Sequence, residues 1–527
     1  SGTVPSGSAE SFNLVIPPSS LAERAAYTFT LSSGSAYTSI RILMNGAPTS
    51  GKFEVTPPTG DALSTNFQFI AKNWQDEDIP LQYVFGYKSS SRSADILIRS
   101  LSENALLTTT LPPGSLQCLV RVFDVYGANT TAIDTVVVNT PSSISSLLQT
   151  LDNQPALTNQ NTDSYIQSVA LTLSIVNLVS CNNAPNCGAL NRQPCQRTMD
   201  TCGPCLDTYM SGTMGDSNDK CFRAPSSVSI PSGDATSCST DNDCESWQFC
   251  DSTSSVQQCV DVQKSCPTDC SSHGSCRYRD INTGVDRADC SIVDSNCVAY
   301  CNCDGGYAGT SCADTREDYD LKVSLRTNAI NYIVDLTSIE EPTSSVVGNW
   351  VESIAEATSS PSELSQDILS SVLDVIDTTI DSSLSSSLSK EDIAPLLSAI
   401  DAVVNKVADI ETSSMRRRQL QEVTSDQLRN YLEYESAASY YNTYSSIRSS
   451  LLAYGDTVLD DTVQGEDFSS LALNEYGSYF ALVAPTISSL SIVTPLVSDL
   501  EHSNNITNIT IDFVDNPTNK QISAFFM

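Results

Sequence analysis

The sequence predicts a multidomain chain of mixed class: a β-sandwich first, disulfide-rich modules second, and helices followed by β-strands (α+β) last. Three observations predict it. Residues 26–139 alternate apolar and polar side chains, eighteen of the 19 cysteines fall between Cys181 and Cys312, and apolar residues recur every three or four positions beyond Asp314. At 527 residues the chain has length for roughly three to five domains of about 100–200 residues each.

Composition narrows the range of partners. The chain carries 27 Lys and Arg against 62 Asp and Glu, a formal charge of −35. Nucleic acids and anionic membranes bind basic faces that neutralise phosphates, so neither is expected as a partner. Protein or glycan partners at a cell surface, or further copies of this chain, are the expected ones.

The chain contains no clear membrane or export signal. No uncharged apolar run approaches the roughly 20 residues that cross a bilayer. The opening SGTVPSGSAE has neither an initiator Met nor the apolar core of a signal peptide, which is typical of a piece cut from a longer protein. A membrane segment could therefore lie downstream.

Residues 26–139 read as sandwich strands. Segments such as AYTFTL and SIRILMN alternate with period two, and QCLVRVFDV places Cys118 on one face with Val120 and Val122 before a YGAN turn. We expect Cys118 to be a buried free thiol, with a reactive or intermolecular cysteine as the alternative.

Part of this region resembles a known family. The stretch GKFEVTPPTGDALSTNFQFIAKNWQDEDIPLQYVFGY, then LPPG and VFDVYGANTTAIDTVVV, resembles the REJ module of polycystin-like and egg-jelly-receptor proteins over about 115 residues. Such modules often carry two cysteines where this chain has Lys52 and Ala71, so both cysteines of one disulfide are absent together. The resemblance implies an Ig-like β-sandwich over residues 1–139. The matching positions are Pro57, Gly60, Ala62, Leu63, Thr65, Phe67, Trp74, Asp76, Asp78, Pro80, Leu81, Tyr83 and Phe85.

Two stretches next to this region carry less specific signals. The acidic string WQDEDIP can be read as calcium ligands, but no Gly-punctuated twelve-residue loop accompanies it, and a solvated turn is the favoured interpretation. Residues 140–180 contain SISSLLQTL and SYIQSVALTLSIVNLVS, whose apolar spacing predicts two helices. We expect them to be a spacer that leads the chain off the β domain.

The cysteine tract indicates a disulfide framework in an oxidising compartment. Residues 181–265 hold ten cysteines and few apolar residues, so bridges must supply stability, but their pairing cannot be deduced. Within this tract TCGPC has the spacing of a thioredoxin-like redox motif. It lacks a preceding core strand and lies among many half-cystines, so a structural role in disulfides is the favoured interpretation. Zinc binding is disfavoured because oxidised cysteines do not coordinate zinc.

Residues 266–313 resemble an EGF-like module. The ending CNCDGGYAGTSC has the closing hairpin of that family, and the residues DVQKS before its first cysteine lack the calcium-binding pattern. The resemblance implies the first three of the following bridges, and the two cysteines of the long insertion then form the fourth: Cys266–Cys276, Cys270–Cys301, Cys303–Cys312 and Cys290–Cys297.

Two kinds of processing site are expected. Sequons begin at Asn129, Asn505 and Asn508, in agreement with an extracellular glycoprotein. The run Arg416, Arg417, Arg418 is the only basic cluster; a solvated loop is the favoured reading and a protease-processing site the alternative.

The C-terminal part is predicted to be helical and then β. In residues 314–415 a capping box at Ser360–Glu363 opens a helix with an apolar residue every fourth position, and a second helix from Ser389 packs on it as a hairpin. Residues 416–527 contain a third helix and then strands. The order of elements is similar to the GAIN region of such receptors, but its cysteine- and tryptophan-rich cleavage motif is absent, so self-cleavage is not assigned.

The predicted function rests on the identity of the modules, because the sequence shows no catalytic motif. Two histidines 229 positions apart and no nucleophile motif leave no catalytic, metal or cofactor site to predict, so the chain is not expected to be an enzyme. The leading hypothesis is part of a polycystin-like adhesion or mechanosensory ectodomain, extracellular and at a ciliary or other cell surface. The alternative is a subunit of an extracellular or flagellar-surface filament of the mastigoneme kind.

Overall fold

The structure is a computed structural model. It describes residues 16, 20–89, 95–140, 143–153, 161–206, 209–211, 213, 215–223, 238–245, 247–251, 257–280, 284–294, 296–386, 388, 390–404, 406–407, 450 and 453, and strands at 470–472, 479–483, 512–515 and 522–526. The fold is mixed α and β, with several sheets.

Ten strands open the chain and form three sheets. β1 and β2 make a separate antiparallel hairpin; β3, β5 and β8 form a three-stranded sheet; and the order β4-β10-β9-β6-β7 forms a five-stranded sheet in which only the β10–β4 pair is parallel. The bounds are β1 Ala26–Ser33, β2 Ala36–Leu43, β3 Lys52–Thr56, β4 Thr59–Asp61, β5 Phe67–Lys72, β6 Gln82–Ser89, β7 Ile96–Ser102, β8 Leu106–Thr109, β9 Gly114–Phe123 and β10 Asn129–Asn139.

The three-stranded and five-stranded sheets share one hydrophobic core. Phe69 on β5 and Phe85 on β6 meet edge to face with ring centroids 6.0 Å apart, and Phe53 on β3 lies 6.0 Å from Phe69. Aromatic pairs at this separation add to the burial of their area. The alternation that predicts strands here is therefore the alternation between core and solvent.

The hairpin β1–β2 differs from the sequence prediction. The alternating residues of β1 were expected in the sandwich, yet the hairpin pairs with no other described strand, and Leu31 and Ile40 are 64% and 61% exposed. The place that they would fill is taken, because β3, β5 and β8 already cover the apolar face of the five-stranded sheet.

Helices on both sides of the cysteine tract complete this core. Helix α2 packs against β7 and against α3, and α4 also contacts β7. Each of the first four helices has a Ser, Asn or Thr N-cap whose side chain accepts from the backbone three residues on. The bounds are α1 Ile144–Asp152, α2 Thr162–Val176, α3 Arg316–Ile339, α4 Ser344–Ala357, α5 Leu369–Ser386 and α6 Lys390–Ile393, with helix again over residues 395–404.

The expectation that residues 140–180 form a spacer changes here. α1 and α2 are helices, as predicted, but they do not lead the chain away from the sheets; Val169 of α2 and Ile330 of α3 are buried in one continuous core with both sheets. The cysteine tract is therefore an insertion between two packed helices.

The predicted capping box at Ser360 does not start a helix. Pro361–Glu363 and Gln366–Ile368 are short 3-10 turns, and α5 begins at Leu369. The reason is that Glu363, whose carboxylate a capping box would turn back to the backbone, instead binds the guanidinium of Arg326 at 2.6 Å.

The remaining strands are short or belong to the end of the chain. Those of the insertion are β11 Tyr209–Met210, β12 Phe222–Arg223, β13 Gln248–Asp251, β14 Gln258–Asp261, β15 Gly274–Asp280, β16 Asp286–Arg287, β17 Cys297–Cys303, β18 Tyr307–Ala308 and β19 Asp314–Thr315. A last sheet has the order β20-β21-β23-β22, with bounds Ser470–Ala472, Tyr479–Val483, Asp512–Asp515 and Ile522–Phe526 for β20 to β23. Most of the predicted third helix lies outside the described residues; the two residues of it that are described, Ser450 and Ala453, are helical. No helix within the described ranges is long and apolar enough to span a bilayer.

Candidate functional site

The first half of the insertion is held by five disulfides. Its TCGPC stretch does not form a dithiol pair, because Cys202 is bonded to Cys187 and Cys205 to Cys221. Each of the two sulfurs is thus bonded to a different cysteine outside the stretch, and both bonds are structural disulfides. The five bridges are Cys181–Cys195, Cys187–Cys202, Cys205–Cys221, Cys238–Cys250 and Cys244–Cys259.

A buried arginine organises the loops around the TCGPC stretch. Arg192 is 1% exposed, and its guanidinium donates to the backbone carbonyls of Asp219, Gly203, Gly215 and Thr213. Burial lowers its pKa, while the nearby aspartate charges act in the opposite direction. Nothing in the sequence distinguishes this arginine from a surface residue, so sequence reasoning missed it.

The second half contains four bridges, and each predicted pair is bonded. Cys303–Cys312 closes the last turn, where the rings of His273 and Tyr307 stack 3.7 Å apart at 6°. The other bonds are Cys266–Cys276, Cys270–Cys301 and Cys290–Cys297. These are the pairs that the EGF-like resemblance and the long insertion imply.

A buried lysine joins the two halves. Lys264 is 2% exposed, and its ammonium donates to the carbonyls of Asp294 and Cys297 at 2.7 and 2.6 Å. Burial lowers its pKa to about 8. Lys264 thereby fixes the loop closed by the Cys290 bridge to the segment that precedes Cys266.

The insertion ends directly on α3. Asp314 of β19 accepts both 2.7 and 2.8 Å hydrogen bonds from Lys322 on the second turn of the helix, and the amide of Arg316 donates to Gly306 at 2.8 Å. Tyr319 donates its hydroxyl to Ser362, and burial raises the pKa of Tyr319 to about 12. The last stapled turn and the first turns of α3 are thus one joined piece.

The start and the end of the insertion meet at a buried polar cluster. Arg326 of α3 is fully buried and donates to Asn177, the C-cap of α2, at 2.6 Å and to Glu363 at 2.6 Å. It also donates to the carbonyl of Ala357 at 2.9 Å, and Asn177 donates to the Glu356 carboxylate at 2.7 Å. We call Asn177, Arg326, Glu356 and Glu363 the junction cluster.

A second polar cluster lies where the hairpin meets the sheets. Ligand oxygens of Asp76, Asp78 and Asp124 all lie within 4.8 Å of one another, a donor set that suits a hard cation such as calcium. The Asp76 side chain is only 3% exposed, so the acidic string is not simply solvated, and Arg24 pairs with it at 3.1 Å. Asp124 accepts from Asn45 at 2.5 Å. Protein groups thus already bind the carboxylates of Asp76 and Asp124.

The remaining predicted site residues are separate from one another. Cys118 is free and fully buried, and burial raises the pKa of its thiol. Asn129 is exposed at the start of β10. Asn505, Asn508 and Arg416–Arg418 lie outside the described residues.

Two cavities of the described residues are small. One of about 60 Å³ lies between Tyr87, Leu116 and Cys181; the other, of about 180 Å³, lies between Arg197 of the insertion and Glu352 and Asp401 of the helices. Pockets that enclose small-molecule ligands usually have volumes of about 300–1,000 Å³.

Comparison with known proteins identifies one module. Residues 3–175 match the family model of the REJ domain. This match supports the REJ module predicted from the sequence and extends it beyond β10 through α1 and almost all of α2. Comparison with curated proteins gives no match.

Proposed function

We propose that this chain is a non-catalytic part of the ectodomain of a polycystin-like adhesion or mechanosensory receptor. The observation that carries the proposal is the REJ match, which runs from the sheets into α2, a helix whose end is tied to α3 by the junction cluster. The REJ part is therefore not joined to the following helices by a linker alone, because it packs against them as one unit.

The finer assignment of modules belongs to this proposal. The two sheets around Phe69 and Phe85 are the layers of a REJ β-sandwich, and residues 266–313 are an EGF-like module with the bridge pattern of that family. Residues 416–527 are assigned to a GAIN-like region by the order of their elements.

An extracellular setting is supported by the REJ match and by nine disulfides among the described residues. Disulfides persist in oxidising compartments and are rare in the cytosol. We place the protein at a cell surface, ciliary or flagellar surfaces included, with protein or glycan partners. The bonded state of Cys202 and Cys205 supports a structural role for the TCGPC stretch.

Cell aggregation tests the adhesive role. The full chain, fused to a membrane anchor and displayed on non-adherent cells, is expected to aggregate those cells. Alternatively, it should bind them to cells from ciliated tissue that do not display the chain. Cells that display the same anchor alone are the control. Adhesion equal to that control in both arrangements would rule out the adhesive proposal.

One observation favours the filament alternative. Tyr27, Phe29, Leu31, Ile40 and Ile42 share the same face of the β1–β2 hairpin, because directly paired residues of antiparallel strands lie on one side. This face carries no charge in a chain of net charge −35, so copies that meet through it bring no like charges together there.

Sedimentation velocity separates the two readings. A filament subunit is expected to form larger species as concentration rises; Ile40→Asp on the apolar face should abolish them and Ser39→Asp on the opposite face should not. A chain that stays monomeric at every concentration contradicts the filament alternative.

A further inference from the structure

The insertion leaves the helical core and returns to it at the same place. Asn177 at the end of α2 and Arg326 on α3 are 149 residues apart in sequence, yet their side chains are 2.6 Å apart. Between them lie all eighteen bonded cysteines.

Noncovalent contacts hold the two ends together along the length of the helices. The junction cluster closes the end nearest the insertion. Farther along, Tyr165 of α2 meets Tyr332 of α3 edge to face at 5.4 Å, and Ser145 of α1 donates to Asp318 at 2.8 Å. Ile330 and Ile333 of α3 are fully buried in the shared core.

These contacts act in parallel with the covalent path through the insertion. Tension applied between the sheets and the later helices is carried by the α2–α3 contacts and by the contact of α4 with β7. The insertion bears little of this tension while they hold. Once all of these contacts separate, the insertion is the covalent connection that remains between the described sheets and the later helices.

We propose that the α2–α3 contacts, centred on Arg326, are a force-sensitive latch, and that the stapled insertion is a length reserve released when the latch opens. The inference rests on the proposed load-bearing function and adds the order of mechanical events. The disulfides set how much length is released.

The released length follows from the bridge pattern. A fully extended chain spans about 3.3–3.6 Å per residue, so 149 residues correspond to about 50 nm. With all bridges intact, the shortest covalent path passes through five of the nine described bridges and contains roughly 60 residues, or about 20 nm. An oxidised reserve is thus less than half as long as a reduced one.

Single-molecule force spectroscopy on the full chain tests the proposal, with DNA handles attached through peptide tags at Ser1 and Met527. One extension event should lengthen by about 20 nm in oxidising buffer and about 50 nm after reduction. Because the described disulfides all lie in the insertion, sensitivity to reductant identifies this event among the others.

The variants then test the role of the junction cluster. Arg326→Leu and the milder Asn177→Ala should both lower the force of the reductant-sensitive event. Arg99→Leu is the matched control, because it removes an Arg–Asp pair of 2.9 Å that ties α2 to β7 and not to α3.

Two outcomes would overturn the latch. The insertion could extend before any other event at a force that neither Asn177→Ala nor Arg326→Leu changes, or Arg99→Leu could lower the force equally. Either result leaves cell aggregation unaffected, so failure of the latch is distinguishable from failure of the adhesive proposal.

Discussion

Replacing Arg326 by leucine should strongly destabilise the helical layer. The guanidinium is fully buried and binds Glu363, which is itself 9% exposed, at 2.6 Å. Arg326→Leu leaves this carboxylate without its cation and removes the hydrogen bonds from Arg326 to the Asn177 side chain and to the Ala357 carbonyl. Removing one partner of a buried ion pair typically costs about 3–5 kcal/mol of the free energy of unfolding.

Glu363→Gln is the comparison that makes the prediction specific. The glutamine amide oxygen can still accept from the guanidinium, and Arg326 keeps Asn177 and Ala357 as acceptors. We expect a loss of about 1–3 kcal/mol, in the range of a hydrogen bond to a charged group. The predicted order is therefore that Arg326→Leu costs more than Glu363→Gln.

Urea unfolding followed by circular dichroism at 222 nm measures both values, because that signal comes mainly from the helices. The denaturant dependence should be compared as well, since a changed slope would indicate a different native or unfolded state. A loss below about 1 kcal/mol for Arg326→Leu, or the reverse order of the two variants, would refute the role assigned to the buried guanidinium.

Four further outcomes are expected. Burial lowers the pKa of Lys264 to about 8, below the roughly 10.4 of an unfolded lysine. Between these two values the unfolded chain binds more protons than the folded chain, so the free energy of unfolding should rise from about pH 8 to 10.4. Lys264→Met should remove this rise. Cys118 should not react with a thiol reagent such as Ellman's reagent until the chain is unfolded, because it is buried and its pKa is raised; labelling of the native protein would contradict this. Intact mass before and after reduction should show nine bridges, and six or fewer would contradict an oxidising compartment. Asn129→Gln in a secretory host should lose one glycan by mass, because Asn129 is exposed; an unchanged mass would show that this sequon is not used.

Local sequence patterns predict much of this fold. Period-two alternation finds β1 and β2 of the hairpin and β9 of the five-stranded sheet, and the spacing of apolar residues finds α1, α2 and the stripe from Leu396 to Val407 that is buried in the core. The closing cysteine pattern implies the pairs around Cys303 and Cys312, which are bonded in the structure. Each of these signals depends on residues close together in the chain.

What sequence patterns miss are contacts between distant parts. A capping box at Ser360 is a sound local reading, but Glu363 has a stronger partner 37 residues earlier in the chain. The same holds for Arg192 and Lys264, whose acceptors are backbone carbonyls brought near by disulfides. β1 has the pattern of a core strand, and only the position of β3, β5 and β8 leaves no place for it.

These distant contacts share one chemistry. In a chain with more than twice as many acidic as basic residues, a cation finds an anionic or carbonyl partner readily, and here several cations lie between elements rather than on a basic face. Arg24 ties the hairpin to Asp76, Arg99 ties β7 to α2, and Lys322 ties the end of the insertion to α3. These three pairs each keep some exposure to solvent, whereas the Arg326 pair is buried, and removing one of its partners leaves a charge in the core. Arg326 also donates to Asn177 at the end of α2, so the proposed latch between α2 and α3 depends on the same buried guanidinium.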